Sequence, residues 1–484
     1  MSTAQLNRQI AQGVKWSLLG NVAEKILSVA ATAILARILL PQDFGLFAVA
    51  FVLIDGLALF QTLGIDTALV REVDRADEAA DTAFFLVPLT GLCLMVILLL
   101  AAPIYAQYTG HPELKGMIQT LALLFVFTSL NRVPGAILTK NLQFARRAFA
   151  NFLAQVVFSA AAVILALLGH GVWSLVWAYM LRVIVRTSMI WYLSGWRFRG
   201  RFSKDLAKSM LHFGGFVMGS TTLAFLKTNI TSLALVKIIG ATAVGYYTIA
   251  YGLAFFVAQY LGSHITNVTY PAFSQIQDDP QAIARVYLKI FKHFSALTVP
   301  FSLLLIVLAP EIITLIYGSR WLPSASILMI LTTAALLRSL FLGVGPVFLA
   351  YGHAKLSFKI NVIETILFLA ALVPLCHWWG PEGAALAVLM GTLVSVGISV
   401  FYFFGLTQIS ASDILHEFTP CASGSLVLLA VSVIGIWALK NNAAGLPLST
   451  GPSLAVILLA GLGYLLMIYV KDRSFFAELK RAVT

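Results

Sequence analysis

Ionisable side chains are scarce in this chain. Asp, Glu, Lys and Arg make up 11% of its 484 residues, where a soluble globular domain carries roughly 25%. That shortage excludes an ordinary water-soluble fold. Cysteine is scarcer still. Cys93, Cys376 and Cys421 each lie in an apolar run, with no spacing that suits a disulfide framework or a zinc site. They read as small buried hydrophobes. No glycine-rich phosphate loop of the Walker type occurs, and no polar stretch is long enough to house a nucleotide-binding domain. No cofactor is expected. Long outer loops are missing too: Leu168–Val172 and Gly240–Ala243 are a few residues each. Catalytic groups would have nowhere to sit outside the bilayer, so the chain does not read as an enzyme. A cleavable signal is also lacking, because Met1–Gly13 is polar and the first apolar run is long enough to span.

What the chain has instead is hydrophobic length. Hydrophobic residues make up 60% of it, and the mean hydropathy is +0.91. Fourteen apolar segments are legible, at about 14–40, 42–70, 82–107, 114–139, 147–168, 172–194, 211–237, 241–270, 287–317, 324–350, 355–379, 383–407, 415–438 and 450–470. About 20 apolar residues cross a bilayer, and within lipid a short segment satisfies its backbone only as a helix. The fold class expected is all-α integral membrane, with about fourteen transmembrane helices.

The net charge of +12 is sorted by side, which points away from nucleic acid. With the N-terminus in the cytoplasm, Arg71, Arg75, Lys140, Arg146, Arg147, the run Arg197–Lys208, Arg285, Lys289, Lys292, Lys355, Lys359 and Lys471 fall on the cytoplasmic face. Arg37, Lys115, Lys237, Arg320 and Lys440 fall on the other. This is the positive-inside pattern, and it places both termini in the cytoplasm.

A corner recurs. In Ile34–Ala50 an apolar helix ends at Leu40, a polar corner follows at Pro41–Gly45, and a second helix leaves at once. Ser232–Ala250 repeats it, with Arg37 matched by Lys237, Ile38 by Ile238 and Gly45 by Gly245. Further along, Asn151 matches Asn361 and Arg132 matches Arg338. The chain divides accordingly into an N-terminal lobe (1–193), a basic cytoplasmic linker (194–210), a C-terminal lobe (211–407) and two added helices with a tail (408–484). Two six-helix halves of the same topology are parallel repeats about an axis along the membrane normal.

Charges inside spans are costly and usually face an interior cavity. Lys25, Arg132, Arg182, Arg186, Lys227 and Arg338 lie well inside segments, as do Glu24, Asp55, Asp66 and Glu364. Lys25, Arg132, Lys227 and Arg338 fall near mid-helix, two in each half. Arg186 lies nearer the cytoplasmic end, where its stem can snorkel. Polar stripes accompany them: Ser17, Asn21, Glu24/Lys25, Ser28 and Thr32 on segment 1, and Gly252, Gln259, Ser263 and Asn267 on segment 8. Ion pairs such as Glu24 with Lys25 or Arg338 with Glu364 are one reading. A cationic cavity for a phosphate or diphosphate is the other, since guanidinium and ammonium groups suit those oxygens. Lys25, Arg132, Lys227 and Arg338, with Asn21, Gln259 and Asn267, are the candidate substrate-binding residues. Asp55, Asp66, Glu24 and Glu364 are the candidates for coupling to H+ or Na+. The run Asn131–Gly135 contains Pro134 and is expected to break segment 4.

Several motifs resemble a known family. Ala36-Arg37-Ile38-Leu39-Leu40-Pro41-Gln42-Asp43-Phe44-Gly45 is similar to the first corner of bacterial polysaccharide flippases. These form the Wzx-like branch of the multidrug/oligosaccharidyl-lipid/polysaccharide exporter superfamily. Gly64–Val70, Leu142–Arg147, Gly195–Arg199 with Phe213-Gly214, Tyr270–Asp279 and Tyr317–Trp321 resemble later family motifs in the same order, covering about residues 10–405. The resemblance implies two six-helix lobes working by alternating access in the bacterial inner membrane. The implied cargo is an undecaprenyl-diphosphate-linked oligosaccharide for exopolysaccharide or lipopolysaccharide synthesis, and polysaccharide polymerase or export proteins are the implied partners. One position departs: the acid that members often carry in segment 7 is absent from Asn229-Ile230-Thr231-Ser232. Three other readings stand beside it: a cation-coupled multidrug antiporter of the same superfamily, a peptidoglycan-precursor flippase, and a membrane polymerase or ligase.

Overall fold

The computed structural model describes residues 3–62, 75–141, 143–208, 230–256, 269, 272–277, 279–407, 409–442 and 450–471. The described residues are helical with no strand. They form two compact units, Met1–Gly245 and Tyr246–Thr484.

The first unit contains α1 (Thr3–Ile38), α2 (Pro41–Thr62), α3 (Ala76–Thr109), α4 (Glu113–Ala122), α5 (Leu124–Lys140), α6 (Phe144–Leu167) and α7 (Trp173–Ser194). Helix α8 (Ala241–Ala254) leads into the second unit. There follow α9 (Pro280–Val307), α10 (Ala309–Ile316), a 3-10 turn at Ser319–Trp321, α11 (Ser324–Leu340), α12 (Val344–Ala350), α13 (Ala354–Leu406), α14 (Ala411–Asn442) and α15 (Thr450–Lys471). Eight described helical stretches, two of them joining neighbouring helices (α4 with α5 and α11 with α12), are long and apolar enough to cross a membrane. Helices α1 and α7 are not among them. Their ionisable residues lower their hydropathy, and these two helices pair through their charges, as described below.

The recurring corner is tighter than its sequence suggests. Helix α1 stops at Ile38 and α2 starts at Pro41, so Pro41–Gly45 is the first turn of α2 rather than a loop. Proline suits that place because its missing N–H is one the first turn leaves unbonded anyway. Asp43 closes the turn by accepting from the Leu40 N–H at 2.9 Å, as an acid does in a capping box. The second corner turns at Gly240, whose φ of 107° is accessible to glycine at no steric cost. Within the first unit these corners meet. A Cβ on Gly45 would overlap the Ala241 carbonyl, and one on Gly245 would overlap the Pro41 carbonyl.

The break in segment 4 falls elsewhere than expected. The chain bends at Leu123, between α4 and α5, and α5 runs unbroken through Pro134. Proline deprives the Leu130 carbonyl of its helical donor. The indole of Trp191 on α7 supplies one instead, at 2.9 Å. The same compensation occurs in α9, where Pro300 leaves the Ala296 carbonyl open and the Tyr464 hydroxyl of α15 donates to it. Segments 11 and 12 lie within α13 as two helices separated by a kink at Trp379 and Gly380, whose backbone angles are not helical.

Packing follows chain neighbours and their faces. Helix α6 lies against α7 and α1, while α3 and α7 flank α5. Leu35, Leu39, Ala162, Ala166, Leu175 and Ala178 form a buried core there. In the second unit α9 packs on α11 and α14, and α11 on α13. Tyr287, Phe291, Val347, Phe348 and Phe403 fill the centre. The outer side chains of α3 (Leu89, Leu92, Val96, Ile97 and Leu100) are exposed, as suits a lipid-facing surface. Cys93 is exposed among them, against the sequence expectation of burial, whereas Cys376 and Cys421 are buried.

Candidate functional site

The ionisable residues singled out inside the segments of the first unit lie on α1, α2, α5 and α7, and Arg147 lies on α6. Glu24 and Lys25 on α1 are half-buried, and Asn21 one turn before is exposed. Glu24 pairs with Arg182 of α7 at 2.9 Å rather than serving Lys25 alone. The Arg182 guanidinium also lies over the rings of Phe158 and Tyr179, 5.8 and 5.6 Å from their centroids, a placement that suits a cation against an aromatic face. Asp55 on α2 is exposed.

Helix α6 presents Arg147, Asn151, Gln155 and Ser159 at four-residue steps, one polar stripe. Arg147 donates to the Thr139 hydroxyl at 2.7 Å, and Gln155 to the Ser159 hydroxyl at 3.4 Å. On α5, buried Asn131 donates to Thr187 of α7 at 3.0 Å, and Arg132 beside it is half-buried. Gln61 of α2 is buried and donates to Thr128 and to the Phe125 carbonyl.

The second unit has a smaller counterpart. Arg338 forms an ion pair with Glu364, which is buried while Arg338 is not. A cavity of about 350 Å³ opens beside this pair, lined by Arg338, Ser357, Asn361, Ser395 and Ser399 among apolar side chains. Asn361 donates to the Ser357 carbonyl at 3.0 Å. Here the cation carries its own carboxylate.

Of the candidate residues, Lys25, Arg132, Asn21, Asp55 and Glu24 lie in the first unit and Arg338 and Glu364 in the second. Lys227, Gln259, Asn267 and Asp66 lie outside the described residues. Sequence reasoning set Arg147 in a surface loop and gave Arg186 to snorkelling. The structure places Arg147 on α6 and Arg186 on α7, helices that pack against each other. The four-residue ladder Arg147–Asn151–Gln155–Ser159 was the available signal. Asp81 was also missed, because segment 3 appeared to begin one residue later. It is buried and accepts from the backbone N–H groups of Arg199 and Arg201, at 3.2 Å each. Ser203 N–H donates to Thr82 alongside. The linker is therefore strapped to the start of α3. Lys237 donates to the Tyr108 carbonyl at 2.8 Å, a cation at the C-terminal end of α3 where the helix dipole favours it.

A family model described as polysaccharide biosynthesis protein matches residues 34–326. The lipopolysaccharide biosynthesis protein WzxC of Escherichia coli K12 is 27% identical over 398 residues, spanning 82% of this chain and 81% of that protein. Among solved structures, lipid II flippase MurJ in an inward closed conformation matches with a TM-score of 0.75 at 15% identity, across 95% of this chain and 100% of that one. An inward-facing multidrug-resistance MATE transporter of the MOP superfamily matches at 0.63 and 20% identity, across 80% and 96%. At such identities these likenesses bear on the fold alone, which is that of multi-pass membrane transporters.

Proposed function

This chain belongs to the polysaccharide biosynthesis protein family, and on that premise we propose that it is a flippase for prenyl-diphosphate-linked oligosaccharide. It takes the undecaprenyl-linked repeat unit from the cytoplasmic to the periplasmic leaflet of a bacterial inner membrane, with both of its own termini cytoplasmic. The observation that carries this reading is the cationic interior of the first unit. There Lys25, Arg132, Arg147, Arg182 and Arg186 lie on the packed helices α1, α5, α6 and α7, with Glu24 paired to Arg182. Such an interior suits a diphosphate. The lobes 1–193 and 211–407 rock about the site. Lys25, Arg132 and Lys227 hold the diphosphate, and Asn21, Gln259 and Asn267 face the sugar. Arg338, the fourth candidate cation for the diphosphate, is engaged by Glu364. Asp55 and Asp66 are the carboxylates for H+ or Na+ coupling, and a polysaccharide polymerase receives the product.

The test is complementation of a deletion strain. The native gene is expected to restore surface polysaccharide and leave drug susceptibility unchanged, while a K25A/K227A double variant restores little polysaccharide. Unchanged polysaccharide with that variant counts against the site. Restored drug resistance by the native gene would favour the multidrug antiporter, which the cationic interior disfavours because it repels cationic drugs.

A further inference from the structure

The linker 194–210 has two unlike sides. Its inner side is fastened to the start of α3. The backbone N–H groups of Arg199 and Arg201 donate to the Asp81 carboxylate at 3.2 Å each, and that of Ser203 to the Thr82 hydroxyl at 3.1 Å. Asp81 is 1% exposed, so the strap lies inside the fold. Leu206 follows it into the core formed by Ala79, Ala80, Ala83 and Val87. The outer side carries the charge. Arg197, Arg199, Arg201, Lys204 and Lys208 are all exposed. Asp77 takes the Arg199 guanidinium at 3.4 Å, and Asp205 is the acid beside Lys204. Five basic residues against these two acids leave the outer side cationic.

That cationic side borders an apolar one. Phe198 and Phe202 are exposed, and their rings meet that of Phe85 on α3 edge-on, with centroids 5.0 and 5.7 Å apart. Phe85 begins the exposed row Phe85, Leu89, Leu92 and Val96, whose three- and four-residue steps set it on one face of α3. The lipid-facing surface of that helix therefore runs up to the aromatic rings and ends at the basic side chains. A soluble polyanion has no use for the apolar row. A phospholipid matches the whole boundary: acyl chains against the row, aromatic rings at the headgroup level, and guanidinium and ammonium groups on the phosphate oxygens. We propose that the outer side of the linker is a binding surface for anionic phospholipid headgroups, with Arg197, Arg201 and Lys204 as its principal contacts. Arg199 is left to Asp77. The strap holds the backbone through N–H groups and not through the basic side chains. These are presented on a fixed support, and little order has to be gained on binding. The surface goes beyond the transport reading and does not depend on the identity of the cargo.

The test uses the full-length protein in detergent micelles doped with phosphatidylglycerol or with phosphatidylcholine, read as Tm and as deuterium uptake over the linker. Phosphatidylglycerol is expected to raise the Tm and to slow uptake in the linker, and phosphatidylcholine to do neither. Sodium chloride at about 1 M should abolish the difference, since it shortens the screening length to about 3 Å. A basic residue near an anionic surface contributes roughly fivefold in affinity. The triple variant Arg197→Gln/Arg201→Gln/Lys204→Gln should therefore bind phosphatidylglycerol on the order of a hundredfold more weakly. Its Tm without added lipid should match that of the native chain, because the strap is untouched. Lys355→Gln/Lys359→Gln removes two exposed cations of the second unit and should leave the response unchanged. Glycerol phosphate, the headgroup without its chains, should have no effect at the same concentration. The surface is overturned if phosphatidylglycerol acts no differently from phosphatidylcholine, or if the triple variant responds as the native chain does. It is equally overturned if the Lys355/Lys359 variant loses the response as fully, or if glycerol phosphate reproduces it. Each of these failures leaves the transport reading standing, since that reading is tested by complementation.

Discussion

Glu24 illustrates how a charge is held inside a membrane segment. Its partner is Arg182, distant in sequence, and the pair is about a quarter exposed on each side. Removing one member leaves the other without its partner in a poorly solvated place, which is worse than removing both. Glu24→Ala is therefore expected to lower stability by about 1.5–3 kcal/mol. The Glu24→Ala/Arg182→Ala double variant should be less destabilised than the sum of the two single variants. Thermal melting of the three purified proteins checks this, and additive losses would show that the two charges do not interact. The residue scale is also where the sequence was least legible. Charges inside segments could be found by hydropathy, but Arg338 with Glu364 and Glu24 with Arg182 could be told apart from open cations only by seeing which helices touch.

The elements show that proline in these helices is a compensated defect. Pro134 frees the Leu130 carbonyl and Trp191 satisfies it, while Pro300 frees Ala296 and Tyr464 satisfies it. In the second case the donor comes from the last helix, so α15 is pinned to α9 along with Leu428, Ala460 and Ile468. Trp191→Phe keeps most of the ring packing but removes the donor, and should cost about 1–3 kcal/mol. In a Pro134→Ala background the helix regains its own N–H, and Trp191→Phe should then cost distinctly less. Chemical denaturation of the four proteins in detergent would decide it, since equal costs in both backgrounds would mean that Trp191 acts by packing alone. The sequence showed Pro134 but not the indole that meets it. Local pattern therefore predicted a break where tertiary contact maintains a continuous helix.

At the scale of the whole molecule, the duplicated corner is the clearest sign of how the chain is built. Gly45 and Gly245, matched by sequence in the two corners, each leave room for the other corner's backbone. A side chain at either position has nowhere to go, because the obstacle is a carbonyl rather than a flexible side chain. Gly45→Val and Gly245→Val are expected to destabilise by about 1–3 kcal/mol or more and to reduce complementation in the polysaccharide assay. Gly252→Val, which meets open space, should be tolerated. Equal behaviour of the three variants, by melting and by complementation, would argue against close approach of the corners.

The sequence by itself determined the helical class and the multi-pass membrane character. Each follows from a property of single segments: hydrocarbon demands internal backbone pairing, and hydropathy and charge need no knowledge of neighbours. The tertiary structure alone decided which carboxylate meets which guanidinium. It also decided that Asp81 straps the linker. Those outcomes depend on the faces that helices far apart in sequence turn to one another. A buried charge is satisfied by whatever atom packing puts within reach, and no local pattern records that atom.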